Sequence, residues 1–140
     1  MSKIITLGTF DMLHAGHLRL FKKCADLGEV IVGLNTDGFV KKFKGKMPIM
    51  SYVERKEMIE ETNLVERIVP NGQKDGTAKK AILSSDANLI VVGSDWARRD
   101  YVGQIGVDWD WLDKNGIGIC YINYTWNIST SELKKRLYEN

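Results

Sequence analysis

Apolar residues fall along this chain in two alternating rhythms. Runs rich in apolar residues occur at Ile4, Ile5 and Leu7, at Val30–Leu34, at Arg67–Pro70, at Leu89–Val92 and at Ile117–Ile122. Runs without polar alternation predict strands buried on both faces, the habit of parallel sheets. The third run is shorter and suits a place nearer an edge. Between the runs the spacing turns helical. Leu18, Leu20, Phe21 and Ala25 recur at helical intervals until Gly28 stops them. Ser51-x-x-Glu54 is a capping box opening a helix with Met58, Ile59 and Thr62 on its inner stripe. A further helix runs from about Thr77 to Ser85, and Ser129-x-x-Glu132 opens a last one. Arg98 to Leu112 is helical in part, with boundaries blurred by glycines. Alternating strand and helix predict an α/β fold, a single domain over residues 1–140 with a doubly wound parallel five-stranded sheet and helices on both faces.

That topology directs attention to strand ends. Open α/β sheets bind ligands outside the carboxyl ends of their strands. The first such end is Gly8-Thr9-Phe10-Asp11-Met12-Leu13-His14-Ala15-Gly16-His17, which leads into a helix N-terminus whose free amides and dipole favour phosphate. The chain's two histidines, His14 and His17, are three apart and so share one helix face. Gly16 between them lets a ligand approach the backbone. A polyphosphate suits such a start. Two surface histidines without a task, or a metal site with Asp11 as a third ligand, are the competing readings. Two imidazoles without a nearby thiol make a short ligand set.

The second strand ends at Asn35-Thr36-Asp37, and Lys41-Lys42-Phe43-Lys44-Gly45-Lys46-Met47-Pro48 follows, basic and broken by glycine and proline, which predicts a loop. It is either a solvated charge run or, at the same sheet edge as the histidines, a phosphate contact. Arg55 sits in the first turn of its helix, where a cation works against the dipole unless it serves an anion. A surface arginine is the plain alternative.

Composition changes this picture little and excludes much. Apolar residues make up 44% and charged residues 27%, ordinary for a globular domain. Twenty basic against 18 acidic residues give +2, too small to suggest a nucleic-acid or membrane surface. No apolar run approaches the ~20 residues of a membrane span, and the N-terminus enters a strand without a signal peptide. Cys24 and Cys120 read as buried thiols, so a cytoplasmic protein without disulfides is expected. Neither a G-x-x-x-x-G-K-S/T phosphate loop nor a G-x-G-x-x-G fingerprint is present, which argues against a kinase-like NTPase or a dinucleotide oxidoreductase.

The string Gly8-Thr9-Phe10-Asp11 followed by His14-Ala15-Gly16-His17 resembles the signature of the H-x-G-H nucleotidyltransferases, and within them the small cytidylyltransferases that serve glycerol 3-phosphate. The resemblance runs nearly end to end and implies a Rossmann-like fold. It also implies transfer of a cytidylyl group from CTP, with Mg2+, to a phosphorylated small molecule such as glycerol 3-phosphate, and a homodimer. Trp109 and Trp111 then read as packing or interface residues. His14, His17, Lys44 and Lys46 would be catalytic, with Lys44 and Arg55 on the acceptor. Gly8, Thr9, Phe10, Asp11 and Gly16 would bind nucleotide, as would Asp95 and Trp96 in a G-x-D-W-like element, although Trp96 equally suits the core. The family's R-T-x-G-I-S-T-T motif matches at Thr125, Ile128, Ser129, Thr130 and Ser131. Tyr124 stands where the family has arginine, and Asn127 where it has glycine. A phenol supplies no permanent charge, so Arg98 or Arg99 is expected to replace that cation, with Lys134 too deep in the last helix to do so. An ATP-dependent adenylyltransferase and a catalytically weak nucleotide-binding module remain as alternatives.

Overall fold

A computed structural model of the chain describes residues 2–94, 99–123 and 129–139. Its strands are β1 (Ser2–Gly8), β2 (Gly28–Asn35), β3 (Arg67–Asn71), β4 (Leu89–Gly93) and β5 (Gly118–Ile122). All pairings are parallel, and the sheet order is β3-β2-β1-β4-β5. The helices are α1 (Ala15–Leu27), α2 (Asp37–Lys44), α3 (Tyr52–Glu61), α4 (Lys79–Ser85), α5 (Tyr101–Gln104), α6 (Trp109–Lys114) and α7 (Thr130–Glu139). None is long and apolar enough, among the described residues, to cross a membrane.

The continuous apolar runs follow from burial on both faces. Successive strand residues point to opposite sides. Ile4 packs with Cys24 of α1, Val30 and Val91, whereas Ile5 packs with Ile82 of α4, Ile31, Ile90 and Leu112 of α6. Phe21 of α1 and Ile59 of α3 lie with Val32 and Leu34. Helices α1 and α3 therefore cover one face, and α4, α5 and α6 the other. At the junction of α1 and β2, a Cβ on Gly28 would overlap the Ser2 carbonyl, which is why the helix must stop on glycine.

Winding order creates the crevice. The chain runs outward from β1 to β3, then returns across β1 to β4. At that reversal the connections leaving β1 and β4 diverge over opposite faces, opening a cleft at the strands' carboxyl ends.

Four sequence expectations are corrected. The predicted loop from Lys41 begins instead as helix, because α2 extends through Lys44. Thr36 caps it by accepting from the Phe39 amide at 3.2 Å, and Gly45 ends it in a left-handed turn with φ of 80°. Met58 is exposed, and the inner stripe of α3 is Arg55 and Ile59, one turn apart. Cys120 is half-buried rather than buried. The fourth helix starts at Lys79, after a turn in which Asp75 accepts from the Thr77 amide and hydroxyl. The third strand is indeed an edge strand.

Candidate active site

The site grows from the end of β1. Gly8 has no room for a side chain, since a Cβ there would sit 2.9 Å from the Phe10 ring. Phe10 and Met12 then hold positive φ of 51° and 50°, a strained geometry for residues with side chains. Burial holds the strain in place. Phe10 is buried against Phe21, with ring centroids 5.2 Å apart, and meets the His17 ring edge-on at the same separation. The loop is thus folded back so that α1 starts directly beneath it.

That start is a capping box built from two histidines. His14 Nδ1 accepts from the Gly16 amide at 3.1 Å, and His17 Nδ1 accepts from the His14 amide at 3.2 Å. The rings stack with centroids 3.7 Å apart and planes 21° from parallel. A nitrogen that accepts an amide proton must carry a lone pair, so each neutral ring keeps its proton on Nε2. Burial lowers both pKa values, and the neighbouring His14 helps push His17 down to about 3. At neutral pH the pair therefore presents two Nε2–H donors and no charge.

Asp11 is the hub that joins three segments. Its carboxylate accepts from the amides of Ile49 at 2.8 Å and Met50 at 3.0 Å, which pins the segment carrying Lys46. Its backbone carbonyl accepts from the Thr130 hydroxyl at 2.6 Å, which docks α7. Each carboxylate oxygen thus accepts one backbone amide. Among the described residues, no three His, Cys, Asp or Glu side chains could hold a metal together.

Arg55 is a further correction. It is fully buried and does not reach the cavity. Its guanidinium donates to the carbonyls of Met50 at 3.0 Å, Thr9 at 2.8 Å and Asn35 at 2.9 Å, and to Asp37 Oδ1 at 2.7 Å. The anion it pairs with is Asp37. Arg55 ties the ends of β1 and β2 to the segment after Lys46.

Above this brace opens a cavity of about 460 Å3. Gly8, Thr9, Phe10, Asp11, His14, His17, Lys44, Lys46, Ser129, Thr130 and Ser131 all line it. Gly16 does not; its amide is committed to His14. Asp95, Trp96, Thr125 and Ile128 lie outside the described residues, as do Arg98 and Tyr124. Arg99 is exposed and is not part of the lining, whereas Lys134, set aside as too deep in α7, is. Lys44, Lys46 and Lys134 bring positive charge to the cavity, and the one carboxylate among the described lining residues, Asp11, is already bound to backbone amides.

Sequence reasoning missed a group of amide side chains in the lining. Asn35 donates to Thr9 Oγ1 at 3.0 Å, Asn71 donates to Asn35 Oδ1 at 2.9 Å, and both asparagines line the cavity with Gln73 and Gln104. Asn35 and Asn71 end β2 and β3, so strand-end position was the available signal.

Residues 5–136 match the Cytidylyltransferase-like family. The chain belongs to that family. Glycerol-3-phosphate cytidylyltransferase of Staphylococcus aureus is 33% identical over 99% of this chain and 96% of its own length. The protein of that name from Bacillus spizizenii is 36% identical over 96% of each. Among solved structures, a lipopolysaccharide core biosynthesis protein from Thermoplasma volcanium superposes with a TM-score of 0.69 at 25% identity, covering 89% of this chain and 97% of the other. In this cytidylyltransferase-like enzyme the neutral histidine pair, the lysines and the start of α7 converge on one cleft.

Proposed function

We propose that this enzyme transfers a cytidylyl group from CTP to glycerol 3-phosphate or a similar phospho-alcohol, giving a CDP-linked product and pyrophosphate. The observation that carries the reading is the stacked His14–His17 pair, two neutral Nε2–H donors at the floor of a lysine-walled cleft. A phosphate oxygen of the acceptor attacks the α-phosphorus, and the bond from that phosphorus to the oxygen bridging to the β-phosphate breaks. The acceptor phosphate is already an anion, so the step needs no general base. What it needs is alignment and stabilisation of charge on the phosphoryl and leaving oxygens. His14 and His17 donate to those oxygens, and a low pKa keeps them neutral donors without the cost of a buried charge. Lys44 and Lys46 hold acceptor phosphate and triphosphate.

Mg2+ would arrive with the nucleotide as the Mg–CTP complex and neutralise the triphosphate. The names of the near-full-length relatives support CTP and glycerol 3-phosphate over other pairs. The same reading makes the protein a homodimer, and Trp109, exposed on α6, suits its interface. Calorimetry with CTP and ATP tests the nucleotide choice. Tight binding of CTP alone supports the reading, and a preference for ATP replaces it with adenylyl transfer.

A further inference from the structure

We infer that Asn71 and Gln73, with Asn35 beside them, form the subsite that reads the hydroxyl groups of the acceptor and so restrict it to phosphorylated polyols. The inference rests on the nucleotidyl-transfer reading and adds the residues that choose its acceptor. Thr9 follows β1, and Asn35 and Asn71 end β2 and β3, so the three form one row across neighbouring strands. Adjacent strands lie about 4.8 Å apart, and the row therefore extends about 10 Å from β1 to the β3 edge. It leads away from the reversal between β1 and β4, where the crevice opens and a nucleotide has room. Hydrogen bonds join the row in one direction. Asn71 Nδ2 donates to Asn35 Oδ1 at 2.9 Å, and Asn35 Nδ2 donates to Thr9 Oγ1 at 3.0 Å.

Asn71 is the informative member. It is only 2% exposed, yet its Oδ1 accepts no hydrogen bond among the described residues. That oxygen opens on the cavity rather than being sealed within protein, so a ligand hydroxyl can donate to it in place of water. Gln73 lines the cavity as well, from a turn in which it holds a positive φ of 43°, uncommon for a residue with a side chain. The chemistry of the row decides its ligand. A phosphate oxygen needs donors alone, and the Asn71 carbonyl repels it. An ammonium group needs acceptors, best a carboxylate, and Asp11, the one carboxylate among the described lining residues, accepts backbone amides instead. A hydroxyl both donates and accepts, which matches amide oxygens set beside amide N–H groups.

The test measures pyrophosphate release with glycerol 3-phosphate and with n-propyl phosphate, which has the same carbon chain and no hydroxyls. Circular dichroism shows whether each variant is folded. Wild type should prefer glycerol 3-phosphate by about a hundredfold in kcat/KM, because the analogue leaves the amides unpaired. Asn71→Leu, of similar volume, should cut that preference to about tenfold, the loss of one hydroxyl contact. Gln73→Gly removes the amide and suits the positive φ, and it should cut the preference several-fold. It carries the test alone if Asn71→Leu does not fold. A preference left intact in a folded variant overturns the inference. So does an equal loss with both acceptors, which marks a merely structural residue. A rise in the KM for CTP with the preference unchanged gives the amides to the nucleotide and also overturns it. If the preference falls as expected while ATP outperforms CTP, the subsite stands and the cytidylyl reading falls. Wild type that releases no pyrophosphate with either acceptor refutes both.

Discussion

Replacing Arg55 with methionine separates the brace from a substrate contact. The change preserves an aliphatic stem of similar reach but removes four hydrogen bonds, one of them the 2.7 Å pair with Asp37. The carbonyls of Met50, Thr9 and Asn35 lose this partner, and Asp37 keeps only the Tyr52 amide at 3.1 Å. Breaking a buried ion pair by removing one member costs about 3–5 kcal/mol. The Asp37 side chain is 27% exposed, so water recovers part of that, and the lower end, about 3 kcal/mol, is expected. Unfolding entropy of about 2.1 cal/mol/K per residue gives ~0.3 kcal/mol/K for a chain of 140 residues, so the melting temperature should fall by about 10 °C. Thermal melts and urea titrations read this directly. Kinetics at a temperature where the variant is folded should show a general loss, because both strand ends and the segment after Lys46 loosen together. An unchanged melting temperature with a selective rise in KM for the acceptor would return Arg55 to the substrate and refute the brace.

The histidine pair predicts a pH dependence of stability. Folding lowers both imidazole pKa values, His17 to about 3, so the unfolded chain binds protons that the folded chain refuses, and stability falls as pH drops from about 6.5 towards 3. Between about pH 6.5 and 5, where ordinary carboxylates stay ionised, the slope from His17 should approach about 1.4 kcal/mol per pH unit, and urea titrations of wild type against His17→Asn should show it shrinking. A flat wild-type profile contradicts the buried neutral pair. His14→Ala and His17→Ala should each lower kcat by about a hundredfold or more, the loss of a transition-state donor, and near-normal turnover in a folded variant removes that residue from catalysis. Lys44→Ala and Lys46→Ala should weaken phosphate binding, one through the KM of the acceptor and the other through that of CTP; unchanged kinetics in both would make them a solvated charge run. Light scattering should report a dimer, and a monomer at high concentration excludes the interface assigned to Trp109.

Much of this architecture could be read from hydrophobic spacing. The five runs became five strands because β1, β2 and β4 are covered on both faces, and Gly28 ended α1 where a side chain would strike Ser2. Helix α2 was missed because glycine, lysines and proline outweighed its caps, although Thr36 and Gly45 marked both ends. His14 and His17 were legible as a pair, but their capping role depends on Nδ1 geometry that spacing does not carry. Arg55 was legible as a cation in need of an anion; that the anion was Asp37 depends on tertiary packing between α2 and α3. Lys134 was misplaced for the same kind of reason. Its distance from the motif along the chain says nothing of how Thr130 docks α7 on Asp11.

The central claim is cytidylyl transfer in this cleft, and product analysis tests it most directly. Wild type is incubated with Mg2+, glycerol 3-phosphate and either CTP or ATP, and pyrophosphate and the nucleotide product are measured together. The account predicts pyrophosphate and CDP-glycerol in equal amounts from CTP, with the rate of both cut by about a hundredfold or more in His14→Ala and in His17→Ala. Equal or greater turnover of ATP, or CTP turnover that survives loss of both histidines, would contradict it.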